Sequence, residues 1–138
     1  MVVTETREIR TTGQGDVRDL TAVVADVIAA SRVSEGLATV FVVGSTAGVT
    51  TIEFEPGAVD DFDRMLETLA PRDADYRHHL RWGDDNGSSH VRAALLGPSV
   101  SIPFRDGKLL LGTWQQVVLV ECDTRGRSRR LVIQLLGG

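Results

Sequence analysis

The sequence predicts one α+β domain, residues 1–138, built mainly from antiparallel sheet with flanking helices. Three observations carry that prediction. β-Branched runs recur along the chain, and only two clear amphipathic helical stripes fall between them. Their order is strand, helix, strands, helix, loop, strands, which is the order of an α+β chain. An Asp106-Gly107 pair between two apolar runs signals a tight hairpin.

Taken in order, Val2–Thr12 alternates imperfectly and reads as an edge strand with one exposed face. Gly13–Asp16 is a turn, Val17–Leu20 a short extended piece, and Thr21 a good N-cap. From Ala22 to about Arg32 a helix carries Val23, Val24, Val27 and Ile28 on one stripe. Leu37–Val43 is almost wholly apolar and reads as a strand buried on both faces. Gly44–Gly48 breaks it with small residues, which permit either a tight corner or close approach by a ligand or another chain. Val49–Phe54 resumes the strand pattern. A second helix, Ala58–Leu69, has Val59, Phe62, Leu66 and Leu69 as its stripe and Asp60, Asp61, Asp63 and Glu67 outward.

Pro71–Ser89 shows no periodicity but gathers His78, His79, Trp82, Asp84, Asp85 and Asn86, and long irregular stretches of this kind are often functional. Val91–Leu96 reads as a helical turn or two. Ser99–Phe104 and Lys108–Leu111 form the hairpin. Thr113–Asp123 follows as a long strand, apolar on both faces along Trp114–Cys122, and Arg127–Leu136 is expected to pair back against it across Thr124-Arg125-Gly126.

The totals narrow the class. A chain of 138 residues supports one core, and 42% apolar with 25% charged residues is an ordinary globular balance. No apolar run approaches the ~20 residues that span a bilayer, and the N-terminus has no apolar signal region. Net charge −4 argues against a broad nucleic-acid footprint. The single cysteine suits a reducing cytoplasm, and Cys122 has no base beside it in sequence to activate it. Arg125, Arg127, Arg129 and Arg130 read as a solvated turn and strand face, or as contacts for an anionic ligand or a neighbouring subunit.

Three histidines, His78, His79 and His90, are the only imidazoles. With nearby carboxylates they offer N and O donors for a divalent metal, at a spacing that matches no standard zinc motif. Asp84-Asp85 could instead serve magnesium on a pyrophosphate, or be a solvated turn.

Several motifs recur together: Ser45-Thr46-Ala47-Gly48, Glu53 with Pro56, Tyr76-Arg77-His78, Asp84-Asp85-Asn86-Gly87, His90, Leu95–Ser99 and Gly112-Thr113-Trp114-Gln115. In this order they resemble the YjbQ family, described as secondary thiamine-phosphate synthases. The resemblance implies a homotrimer with a polar pocket near subunit boundaries. It implies His90, His78, Asn86 and Glu53 as catalytic residues, and Ser45, Thr46, Arg92, Trp114 and Gln115 as substrate contacts. A divalent metal, magnesium or zinc, would sit on His78, His90 and Asp85. The implied chemistry joins a pyrimidine pyrophosphate to a thiazole phosphate; a non-catalytic metabolite- or metal-binding protein on the same scaffold is the alternative. Two departures stand out. Ser88 occupies the first histidine of the family's Asn-x-His-x-His run, and Gly44-Ser45-Thr46 replaces a common His-Thr-Thr. A hydroxyl is a poor substitute for an imidazole, so weakened metal binding or catalysis is expected.

Overall fold

A computed structural model describes every residue from Met1 to Gly138. Eight strands and four helices run in the order β1 (Val2–Arg10), β2 (Val17–Asp19), α1 (Thr21–Ser31), β3 (Gly36–Val43), β4 (Ala47–Ile52), α2 (Pro56–Leu69), α3 (Arg77–Trp82), α4 (Gly87–Leu96), β5 (Ser99–Arg105), β6 (Lys108–Leu109), β7 (Gln116–Glu121) and β8 (Ser128–Gly137). They form a five-stranded sheet, β1-β8-β3-β5-β6, and a three-stranded sheet, β2-β7-β4. Every pairing is antiparallel, as expected.

The main core lies between the two sheets and under α1. Ala38, Val40 and Val42 of β3 and Leu131, Ile133 and Leu135 of β8 meet Val117 and Leu119 of β7, with Val24, Val27 and Ile28 of α1 closing it. The opposite face of β7, Val118 and Val120 with Cys122 beyond it, packs on Leu66 and Phe62 of α2 and Leu96 of α4. β7 is therefore covered on both sides, as its doubly apolar pattern requires. The strand is shorter than expected, and Trp114 lies outside it.

Other expectations are corrected. β3 is buried on one face only: Leu37, Phe41 and Val43 look outward on the large sheet, beside Leu136 and Val132 of β8. β7 and β8 do not pair with each other; the chain crosses between the sheets at 122–127, because β8 has one polar face and suits the outer sheet while β7 has none. Thr21 is not the cap of α1 but its first residue; its N–H is held by Asp19 Oδ1 at 2.9 Å, and its hydroxyl accepts from Val117 N at 3.0 Å. α2 starts at Pro56 rather than Ala58, because Glu55 caps it, accepting from Gly57 N and Ala58 N at 2.7 and 2.8 Å. Of its acids, Glu67 turns inward to Arg92. Within 71–89 the structure places α3 and the start of α4. The Asp106-Gly107 hairpin is as expected, with both residues at positive φ, 52° and 72°, as a two-residue type I′ turn needs.

No helix is long and apolar enough to cross a membrane. The first and last strands are neighbours, and the Met1 ammonium donates to Gly137 O at 2.8 Å. Gly36 sits opposite Gly137 where β3 meets β8, and a Cβ on Gly36 would overlap the Leu136 carbonyl oxygen, one on Gly137 that of Glu35 just before β3. Gly36→Ala is expected to lower stability by roughly 1–3 kcal/mol, the usual cost of overpacking, read by denaturant unfolding.

Candidate functional site

α3 and α4 bring the imidazoles together through short local ties. Tyr76 Oη donates to Pro71 O at 2.6 Å, anchoring the entry to α3, and Gly83 ends that helix in the left-handed region. α4 can approach because Gly87 has no side chain: a Cβ there would overlap Tyr76. His79 Nε2 accepts from Gly87 N at 3.1 Å and so satisfies a free N–H at the start of α4. His79 thus positions the helix that carries His90.

His78 and His90 lie with ring centroids 4.4 Å apart, tilted by 42°. His78 Nδ1 is 3.1 Å from Asp84 Oδ1. The Asn86 amide nitrogen donates to both oxygens of the same carboxylate, at 3.0 and 3.3 Å. His90 borders a depression of about 250 Å³ with Gly44, Ser45, Ala47, Ala93, Ala94 and Pro98. The arrangement sets two imidazoles side by side, with His90 bordering a small, largely apolar hollow.

The structure joins only part of the expected site. His78, His90, Asn86 and Ser45 gather here. Thr46 is buried, its hydroxyl donating to Asp123 Oδ2 at 3.0 Å and accepting from Arg129 Nη2 at 2.8 Å. Arg92 is 1% exposed, donating to Ala70 O at 3.0 Å and Glu67 Oε2 at 2.5 Å, so in this chain it is committed to the body of the protein. Glu53 and Trp114 line a separate groove. They lie beyond the far end of β4, a six-residue strand about 20 Å long at ~3.3 Å per residue, while Ser45 precedes its near end. Trp114 is 74% exposed, and Gln115 is bonded to Thr51 Oγ1 at 3.2 Å.

Asp85 lines a third, polar depression with Gln14, Arg72 and Ser88, away from His90; the carboxylate beside His78 is Asp84 instead. No three His, Cys, Asp or Glu side chains come within reach of one metal ion in this chain. The expected set of His78, His90 and Asp85 is thus not gathered within one chain. Ser88 is not a vacated ligand beside His90 either. Residues two apart on a helix point in opposed directions, and Ser88 Oγ accepts from Gln14 Nε2 at 3.3 Å. His78 of α3 supplies the second ring instead.

Beneath Ser45 lies a charged cluster that the sequence pattern hid. Arg129, expected on a solvated face, is 6% exposed and pairs with Glu121, 1% exposed, through Nε–Oε1 at 2.8 Å and an Nη2–Oε2 contact. Arg127 holds Asp123 through Nε and Nη2 at 3.0 and 2.8 Å. The signal was the arginine run facing Glu121-Cys122-Asp123, two charges flanking a strand end. Burial pushes the Cys122 thiol up to about 12, in keeping with an inert role.

Against known proteins, the chain matches the model of the family described as UPF0047 protein YjbQ-like over residues 5–138. It is 35% identical over 136 residues to a UPF0047 protein of Methanothermobacter thermautotrophicus, covering 99% of this chain and 93% of that one. A UPF0047 protein of Mycobacterium tuberculosis is 45% identical over 100 residues, 70% of this chain and 74% of the relative. Among solved structures, a Sulfolobus solfataricus protein described as YbjQ-like and of unknown function superposes with TM-score 0.89 at 28% identity, covering 100% of both chains. A YjbQ/UPF0047 protein of Clostridium acetobutylicum gives TM-score 0.82 at 32% identity over 94% of this chain and 99% of that one.

The buried acids make stability depend on pH. Burial alone would raise the Asp123 carboxyl, but Thr124 N, the Thr46 hydroxyl and Arg127 outweigh it and hold the group below its ordinary range. A depressed folded pKa contributes stability that is present above the unfolded value of ~3.9 and lost as pH falls through the folded one. Asp123→Asn should therefore be less stable than wild type at pH 7 and lose less stability below about pH 4, as measured by denaturant titrations from pH 3 to 7.

Proposed function

The chain belongs to the YjbQ-like UPF0047 family, and from that premise we propose that it binds a small phosphorylated metabolite at His78 and His90 and catalyses a weak transfer of the thiamine-phosphate-synthase type. The observation that carries this is the pair of adjacent imidazoles, His78 beside Asp84 and His90 at the rim of a hollow lined by Ser45. In that transfer the thiazole ring nitrogen attacks the methylene carbon of the pyrimidine pyrophosphate. The C–N bond forms as the C–O bond breaks, and pyrophosphate leaves with the electron pair. The attacking nitrogen has no proton to lose. What the protein must supply is alignment, and positive charge with a proton for the departing oxygen. Protonated His78, steadied by Asp84, and His90 can supply both.

A second reading, a binder without turnover, is favoured by the distance between Glu53 and the histidines within one chain. It predicts that the thiazole phosphate binds and no product forms. The test is thiamine-phosphate formation from both precursors by the purified protein. On the enzyme reading, His90→Ala and His78→Ala each reduce turnover by about 10²–10⁴-fold. Activity that ignores both substitutions belongs to a contaminating synthase; binding without product supports the second reading.

We also propose a homotrimer assembled through the open face of the large sheet, in a reducing cytoplasm. Val2, Leu37, Phe41, Val43 and Leu136 are exposed there on three adjoining strands, an apolar area that suits a second copy. Assembly would give the Glu53–Trp114 groove of one protomer a route to its neighbour's histidines. Light scattering should return three times the 15.0 kDa chain mass, and Phe41→Glu should lower it. If the site is shared, mixing inactive Glu53→Ala and His90→Ala protomers restores part of the turnover.

A further inference from the structure

Arg129 does not spend all of its donors on Glu121. Nε and Nη2 hold that carboxylate, and Nη2 also donates to Thr46 O and Oγ1 at 3.0 and 2.8 Å. Nη1 makes no hydrogen bond in the chain, and the side chain that carries it is 7% exposed. It faces Gly44, where an added Cβ would lie 2.9 Å from it. Gly44 is exposed, sits at φ +140°, and shares the wall of the depression with His90. Its missing side chain leaves the Nη1 edge uncovered behind this one wall residue of the depression.

A guanidinium clamped by a carboxylate on one edge cannot rotate, and its free edge is a donor fixed before any ligand arrives. Arg129 is charge-balanced by Glu121, and Arg127 by Asp123. The free edge thus offers directed N–H groups within a neutral cluster, with His78 and His90 adding charge when protonated. Ala47, Ala93, Ala94 and Pro98 give the remaining wall an apolar character. A hollow of about 250 Å³ is smaller than the ~300–1,000 Å³ of common ligand pockets and takes one ring or a short carbon body.

We propose that Arg129 Nη1, reached past Gly44, recognises the phosphoryl group of a ring-sized phosphate ester whose carbon body rests on the alanine wall beside His90. This rests on the reading of the His90 depression as a metabolite pocket. The test is NMR of the arginine side-chain nitrogens and histidine rings of the wild-type protein, titrated with inorganic phosphate at constant ionic strength, with acetate in a parallel titration. The expected result is that Arg129 and His90 signals move together with one midpoint, that acetate moves neither at equal concentration, and that Gly44→Ala weakens phosphate binding at least tenfold. A His90 shift with Arg129 unmoved overturns this inference and leaves the pocket reading intact. An equal response to acetate overturns the phosphoryl assignment, and silence at both residues overturns pocket and inference together. Gly44→Ala is strained at its φ, so the wild-type spectra decide if that variant does not fold.

Discussion

The ion pair between Arg129 and Glu121 is the constraint on which the rest of the structure turns. Arg129 rises from β8 in the large sheet and Glu121 ends β7 in the small one, so the pair fastens one sheet to the other where the chain crosses over. Thr11, after β1, donates to Glu121 Oε1 at 2.6 Å and accepts from Arg127 N at 3.0 Å, while Thr46, before β4, is tied to both Arg129 and Asp123. Four chain segments meet on these few polar atoms. Buried charges contribute little net stability compared with a well-packed apolar core, but losing one partner strands the other at a cost of about 3–5 kcal/mol. Their effect is to specify how the sheets meet, and with that the position of the Gly44–Ser45 corner that forms one wall of the pocket.

The other wall depends on smaller devices. α3 buries none of its residues, and the buried side of α4 begins Gly87, Ser88, Ser89. Neither helix is held mainly by an apolar stripe. Close approach at Gly87, the His79 acceptor and the inward Arg92–Glu67 pair locate α4, and α4 locates His90. A histidine that orients a helix and two whose rings adjoin each other are the same residue type in three positions, and only their neighbours separate them.

That is also why the sequence disclosed some parts and hid others. The helices at Thr21–Ser31 and Pro56–Leu69 and the doubly covered β7 follow from apolar periodicity, which burial writes directly into residue type. α3 and the first turn of α4 carry no such record, and 71–89 looked formless. Pairing between strands is a long-range choice, so the large sheet's assembly of β8 between β1 and β3 could not be told from a simple hairpin after Thr124. Of the residues that the motifs singled out, His78, Asn86 and His90 do lie near one another. The motifs did not indicate that Asp84 rather than Asp85 serves His78, or that Arg92 and Thr46 are turned inward. Arg129 reads as a surface charge because its partner, Glu121, ends a strand that is apolar without alternation from Val117 to Val120 and so gives no sign of a buried charge.

The position of β8 has a kinetic consequence. It lies between β1 and β3, and some of its contacts with β1 join residues 130 positions apart, such as Gln134 to Thr4. Helices and the Asp106-Gly107 hairpin can form from neighbouring residues within microseconds, whereas β1 has no sheet partner until β8 arrives. Closing so long a loop costs entropy before any pairing repays it, so the large sheet should complete late and folding should be slow for a chain of this size. Until then β1 and one edge of β3 stand open, and the segment that completes the native sheet is also the one whose delay exposes those edges to pairing with another molecule.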